Sequence, residues 1–212
     1  TLAGLVTQRL RWAQGMIQIL LLKNPLKKKG LRWFQKLGYI TSSSFWFFPL
    51  ARVIFLLAPT TYLVFDVNVY NASAAEIFGY TVPHLIATVA IASILFGRHR
   101  WPLISELYET MLSLFLVRAI VQVFLNPRRP KFSVTPKGET LDQDFVSPLA
   151  APLYWLLLFL AIGLGIGVAK SWGHLEAVSL TAMVIFWQVF NLVLVVASLG
   201  AFLERRQRRS YP

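Results

Sequence analysis

Residues 45–65 read FWFFPLARVIFLLAPTTYLVF, an apolar run broken by a single charge, Arg52. A helix needs about 20 predominantly apolar residues to cross a bilayer. This run therefore decides the fold class: an all-α integral membrane protein. Working outward, runs 77–96, 148–169 and 177–203 are as long and contain no Asp, Glu, Lys or Arg. Four spans are expected, paired as two hairpins. The bulk numbers agree, since 56% of the 212 residues are hydrophobic and only 14% charged, against about 25% charged in an ordinary soluble domain.

Lys and Arg total 21 against 9 acidic residues, a net charge of +12. The basic residues sit beside the apolar runs, which fits a bilayer surface and the positive-inside rule better than nucleic acid. Eight lie before residue 45 and seven between residues 97 and 147, while residues 66–76 hold none. This asymmetry predicts a membrane protein with both termini and the central loop in the cytoplasm. The absence of Cys excludes a disulfide or a thiolate ligand within these residues, and His84, His99 and His174 are scattered, so the pattern assigns no metal site. There is no starting Met and no signal peptide, as expected of a piece of a longer chain.

Six segments follow. Residues 1–44 combine an amphipathic interface helix (3–22) with a basic cytoplasmic linker. Residues 45–97 form a transmembrane hairpin. Residues 98–125 are apolar but carry Glu106, Glu109 and Arg118, and read as a second amphipathic interface helix. Residues 126–146 hold the polar stretch NPRRPKFSVTPKGETLDQD (126–144), whose Pro130, Pro136 and Gly138 exclude helix and ladder alike. Residues 147–203 form a second hairpin, and 204–212 a basic tail.

Three constellations carry chemistry. Gln8-x-x-Arg11-Trp12 shares one helix face, because offsets of three and four are neighbours there. An amide, a guanidinium and an indole suit a sugar nucleotide: Arg clamps a diphosphate and Trp offers a flat face to a sugar. A membrane-interface helix with a snorkelling Arg and a belt Trp uses the same residues. In the polar loop, Phe132-x-Val134-Thr135-x-Lys137 presents a ring, a hydroxyl and an ammonium, suited to closing over a nucleotide or to a solvated connection. In the first span, Phe45, Phe48, Arg52, Phe55, Pro59 and Tyr62 fall within roughly one 100° arc. An intramembrane Arg normally faces a bundle interior or a watery path. Trp187, beside Gln188 and Asn191, also points to the interior, and Gly163-x-x-x-Gly167 to close helix packing.

Gln8-x-x-Arg11-Trp12 resembles the QxxRW motif of processive family-2 glycosyltransferases, which include cellulose, chitin and hyaluronan synthases. Phe132-x-Val134-Thr135-x-Lys137 resembles the FxVTxK gating loop of bacterial cellulose synthase catalytic subunits. The element order matches too, so the resemblance covers essentially all 212 residues, as the C-terminal half of such a subunit.

The resemblance implies glucose transfer from UDP-glucose to a growing β-1,4-glucan, with inversion, and export of the polymer through the same chain. Gln8, Arg11, Phe132, Val134, Thr135 and Lys137 would bind UDP, and Trp12 the acceptor glucan. Phe45, Trp46, Arg52, Phe55, Tyr62, Ser105, Glu106 and Trp187 would line the channel, Trp46 standing off the arc. Arg205 and Arg209 have the spacing of the RxxxR linker that binds cyclic di-GMP, the activator that opens the loop; the register favoured starts the motif at Arg209, with its partner beyond Pro212. A PilZ domain would follow. Mg²⁺, its aspartates and the catalytic base would lie outside these residues, so no catalytic or metal-ligating residue is assigned here. The implied partners are UDP-glucose, UDP, the glucan, membrane lipid and a periplasmic subunit, with no nucleic acid. Another processive polysaccharide synthase, and a non-enzymatic transporter or anchor subunit, stand as alternatives.

Overall fold

The computed structural model describes residues 1–67, 73–97, 102–128, 143–173 and 180–204. Seven α-helices occur among them: α1 (Leu2–Lys23), α2 (Trp33–Phe45), α3 (Phe48–Phe65), α4 (Ala74–Phe96), α5 (Pro102–Leu125), α6 (Ala151–Ser171) and α7 (Leu180–Leu199). Strands β1 (Phe145–Val146) and β2 (Leu203–Glu204) add a two-residue antiparallel pair, Phe145 opposite Glu204 and Val146 opposite Leu203. The all-α membrane fold is as expected.

Among the described residues, five helical segments are long and apolar enough to cross a membrane, where the sequence reading has four: Trp33–Phe65, Ala74–Phe96, Ile104–Leu125, Pro148–Ser171 and Leu180–Phe202. The additional one is α5. It does not divide into a wet and a dry face: Met111, Leu112, Leu116, Ala119, Ile120 and Val123 are buried, while Val121, Phe124 and Leu125 are exposed apolar residues. The basic linker also changes character, because residues 33–45 are helical. The first apolar run breaks at Trp46 and Phe47, so Phe45 closes α2 and is not on α3.

The chain forms two compact units. The first comprises Thr1–Val53, Glu109–Pro152 and Leu199–Pro212. Leu2, Val6, Ala13 and Ile17 bury one face of α1 in it, spaced by whole turns. They share its core with the buried residues of α5, and with Ala150 and Phe202.

The second unit comprises Ile54–Tyr108 and Leu153–Ser198. Close approach of α6 to α3 rests on two glycines: a Cβ at Gly163 would stand 2.5 Å from Thr60 Cγ2, and one at Gly167 would stand 2.7 Å from Leu63 Cδ2. Polar groups of α7 complete the packing. Gln188, fully buried, donates from Nε2 to Thr60 Oγ1 at 2.8 Å and to the Leu160 carbonyl at 2.7 Å. Pro59 deprives the Phe55 carbonyl of its helical donor, and Asn191 Nδ2 supplies a replacement at 3.0 Å. α4 begins on a reciprocal cap, Ser73 N donating to Glu76 Oε2 at 2.8 Å and Glu76 N to Ser73 Oγ at 3.3 Å.

Candidate functional site: an aromatic and cationic helix beside the ends of the polar loop

Three of the expected site residues lie on α1. Gln8 and Arg11 are half-buried, and Trp12 leaves 45% of its surface exposed. The Trp12 ring has two partners in the first unit. Arg9 Cζ stands over it, 5.1 Å from the centroid, and Trp46 meets it edge-on with centroids 6.5 Å apart. A cation on a ring face is worth about 0.5–1 kcal/mol at an exposed site, enough to bias the indole toward one rotamer. Trp46 is itself buried and continues to Phe45 (5.7 Å), whose ring lies 5.4 Å from Phe48. Trp46, which the helical arc left aside, thus joins Trp12 to Phe45.

Arg9 was not singled out from the sequence. It is the second residue of the Gln8-x-x-Arg11-Trp12 stretch, at offset three from Trp12, so spacing alone could have found it. Its Nε is buried without a hydrogen-bond partner among the described residues.

Both ends of the polar loop attach near this helix. Gln18 Nε2 donates to the Pro127 carbonyl at 2.7 Å, and Gln14 Nε2 to Gln122 Oε1 at 3.3 Å near the end of α5. At the other end, Phe145 and Val146 pair with Leu203 and Glu204, and Ser147 N donates to the Phe202 carbonyl at 2.9 Å. The Glu204 carboxylate is buried and accepts from Leu2 N, in the first turn of α1, at 3.1 Å. A carboxylate there also meets the positive end of the helix dipole. α1 is therefore fastened at its start and along its second half to the two segments from which the loop leaves. Phe132, Val134, Thr135 and Lys137 of the loop, and Arg205 and Arg209 of the tail, lie outside the described residues.

The expected channel residues are found in two places. Phe45, Trp46 and Arg52 are in the first unit, where Arg52 Nη2 lies 2.8 Å from Glu109 Oε2. Phe55, Tyr62, Ser105, Glu106 and Trp187 are in the second. There Phe55 is exposed, Tyr62 Oη lies 3.2 Å from Thr181 Oγ1, and Ser105 and Glu106 are half-buried in the first turns of α5. Trp187 packs edge-on against Phe186 and Phe190 of its own helix, at 5.6 and 5.5 Å. Its polar neighbours Gln188 and Asn191 are buried, as the sequence reading expects of residues facing a bundle interior.

No protein-family model matches the chain. Curated relatives do. The chain is 37% identical over 209 residues to the cellulose synthase catalytic subunit (UDP-forming) of Pseudomonas fluorescens, covering 98% of the chain and 28% of that protein. It is 37% identical to cellulose synthase 2 of Novacetimonas hansenii, over 98% of the chain and 13% of that protein. To the cellulose synthase 1 catalytic subunit of Komagataeibacter xylinus it is 35% identical, over 96% of the chain and 28% of that protein. The chain thus spans between 13% and 28% of the length of these relatives, and matches them over nearly all of its own.

Proposed function

We propose that this chain is the membrane-embedded segment of a UDP-forming cellulose synthase catalytic subunit of a bacterial inner membrane. In that reading the 4-hydroxyl of the glucan end attacks the anomeric carbon of UDP-glucose from the face opposite the nucleotide. The bond from that carbon to the diphosphate oxygen breaks, UDP leaves with the electron pair, and the hydroxyl proton passes to a base. The base, the Mg²⁺ and the aspartates that hold it come from the rest of the synthase, and no step is routed through this chain's own carboxylates.

The residues of α1 act on the two reactants. Arg11 and Gln8 meet the diphosphate, whose negative charge grows as the bond breaks, so a fixed guanidinium there lowers the barrier. Trp12 stacks on the acceptor sugar, its indole steadied by Arg9. Phe132, Val134, Thr135 and Lys137 cover the nucleotide when the loop closes, and cyclic di-GMP acts through Arg205 and Arg209 to free it. Beyond Trp12 the product passes Phe45, Trp46, Arg52, Phe55, Tyr62, Ser105, Glu106 and Trp187 toward a periplasmic partner, with both termini cytoplasmic.

The observation that carries this reading is the fastening of α1 to both ends of the loop, through Gln18 to Pro127 and through Glu204 to Leu2. A helix bearing a diphosphate clamp and a sugar platform shares its anchors with the one polar stretch bearing a ring, a hydroxyl and an ammonium. The test is F132A and T135A in the full-length synthase. Glucan synthesis is expected to fall at least about tenfold and UDP affinity to weaken with it, the scale of one lost positioning contact. Unchanged synthesis with unchanged UDP affinity would overturn it.

A further inference from the structure

The joint between α1 and α2 has a built shape that the proposed function does not use. Asn24 Oδ1 accepts from Leu26 N at 3.1 Å, and Pro25 is buried where the turn begins. Lys28 N donates to the Pro25 carbonyl at 3.3 Å. Gly30 sits at φ +88°, a left-handed conformation that favours glycine. Arg32 N donates to Gln35 Oε1 at 2.9 Å, and Lys36 Nζ reaches back to the Leu26 carbonyl at 3.0 Å. These bonds hold an elbow on which Lys23, Lys27, Lys28, Lys29 and Arg32 are all exposed. The sequence has no acidic residue before Asp66 to neutralise them locally.

α2 continues the surface with a second, apolar feature. At 100° per residue Trp33, Leu37 and Phe34 fall within roughly 100° of arc, while Gln35, Lys36, Ser42 and Ser43 take the other side. The stripe is not covered by the described residues: these three side chains belong to residues that are 65%, 48% and 83% exposed. Trp, Phe and Leu along one face of a helix, with a cluster of cations at its N-terminal end, is the arrangement of an element lying in the headgroup region of a bilayer. The ammonium groups reach phosphates, and the rings sink to the boundary of the acyl chains.

We propose that residues 23–37 form a docking surface for anionic phospholipid, with Lys27, Lys28 and Lys29 gripping the headgroup phosphates and the Trp33–Phe34–Leu37 stripe seated against the acyl chains. Charge complementarity selects this partner. A zwitterionic surface gives five uncompensated exposed cations no net attraction, whereas an anionic one adds about fivefold in affinity for each basic residue near it.

The test uses the full-length synthase in nanodiscs of mixed phosphatidylcholine and phosphatidylglycerol, with retained lipid counted by native mass spectrometry. The wild type should carry phosphatidylglycerol in excess of its share, and K27Q/K28Q/K29Q should lose that excess by about fivefold per charge. Inorganic phosphate at matched ionic strength should not release it. A nitroxide at L37C, with all charges intact, should collide more often with oxygen than with a water-soluble nickel reagent. W33S/F34S should lower that preference. Equal phosphatidylglycerol retention by the triple variant, release by free phosphate, a label that favours the nickel reagent as in open water, or one that meets neither reagent as under a covering protein, would overturn the proposal. These readouts do not involve glucan synthesis, so they fail or succeed independently of the proposed function.

Discussion

An arginine in an apolar helix is costly unless another group meets its charge. Arg52 is met by Glu109, at 2.8 Å, with 14% and 28% of the two side chains exposed. Removing the guanidinium leaves the Glu109 carboxylate in a poor solvent. R52Q is therefore expected to cost about 2 kcal/mol, less than for a fully buried pair because some water still reaches both groups. R52Q/E109Q, which removes that carboxylate as well, should recover part of the loss. Equilibrium unfolding in mixed micelles measures both, and an R52Q variant as stable as wild type would dismiss the pair as a stabilising element. Arg52 was legible in the sequence as the one charge in its run. Glu109, 57 positions away, was legible only as an interruption of α5, because nothing local to either residue encodes their meeting.

Helix packing in the second unit depends on the absence of side-chain volume. Gly163 lets α6 approach α3 until its missing Cβ would overlap Thr60 Cγ2. Small residues at such crossings replace the hydrophobic drive that lipid does not supply. G163A should destabilise by about 1–3 kcal/mol through overpacking. T60S removes the offending methyl while keeping the hydroxyl that accepts from Gln188, so T60S/G163A should recover most of the loss. The same unfolding assay checks it, and a double variant no better than G163A would show that the glycine serves another purpose. The small-xxx-small spacing announced close packing in advance. Its partner, and the replacement of the carbonyl donor lost at Pro59 by Asn191, depended on which helices became neighbours.

At the scale of the whole molecule, segments far apart in sequence converge on the start of α1. Glu204 and Leu2 are separated by 202 positions, and Glu204 extends a strand pair that closes the polar loop. E204A should unfasten that joint, E204Q should keep an acceptor, and neither touches the reactants. Amide exchange in the first turn of α1 is expected to quicken at least about tenfold in E204A and far less in E204Q, for loss of a hydrogen bond to a charged group worth about 1.5–3 kcal/mol. Exchange equal in both variants and wild type would mean that the α1 start is held by other contacts. The membrane fold class, the helical hairpins and the QxxRW-like and FxVTxK-like stretches were set by local composition and spacing, since hydropathy and helical period are properties of neighbouring residues. The break between α2 and α3, the burial of Leu116, Ala119 and Val123 of α5, the Arg9–Trp12–Trp46 cluster and the fastening of the loop were decided by tertiary structure. Each of those depends on which surfaces are buried against each other, and burial is a property of the folded chain rather than of any one stretch of it.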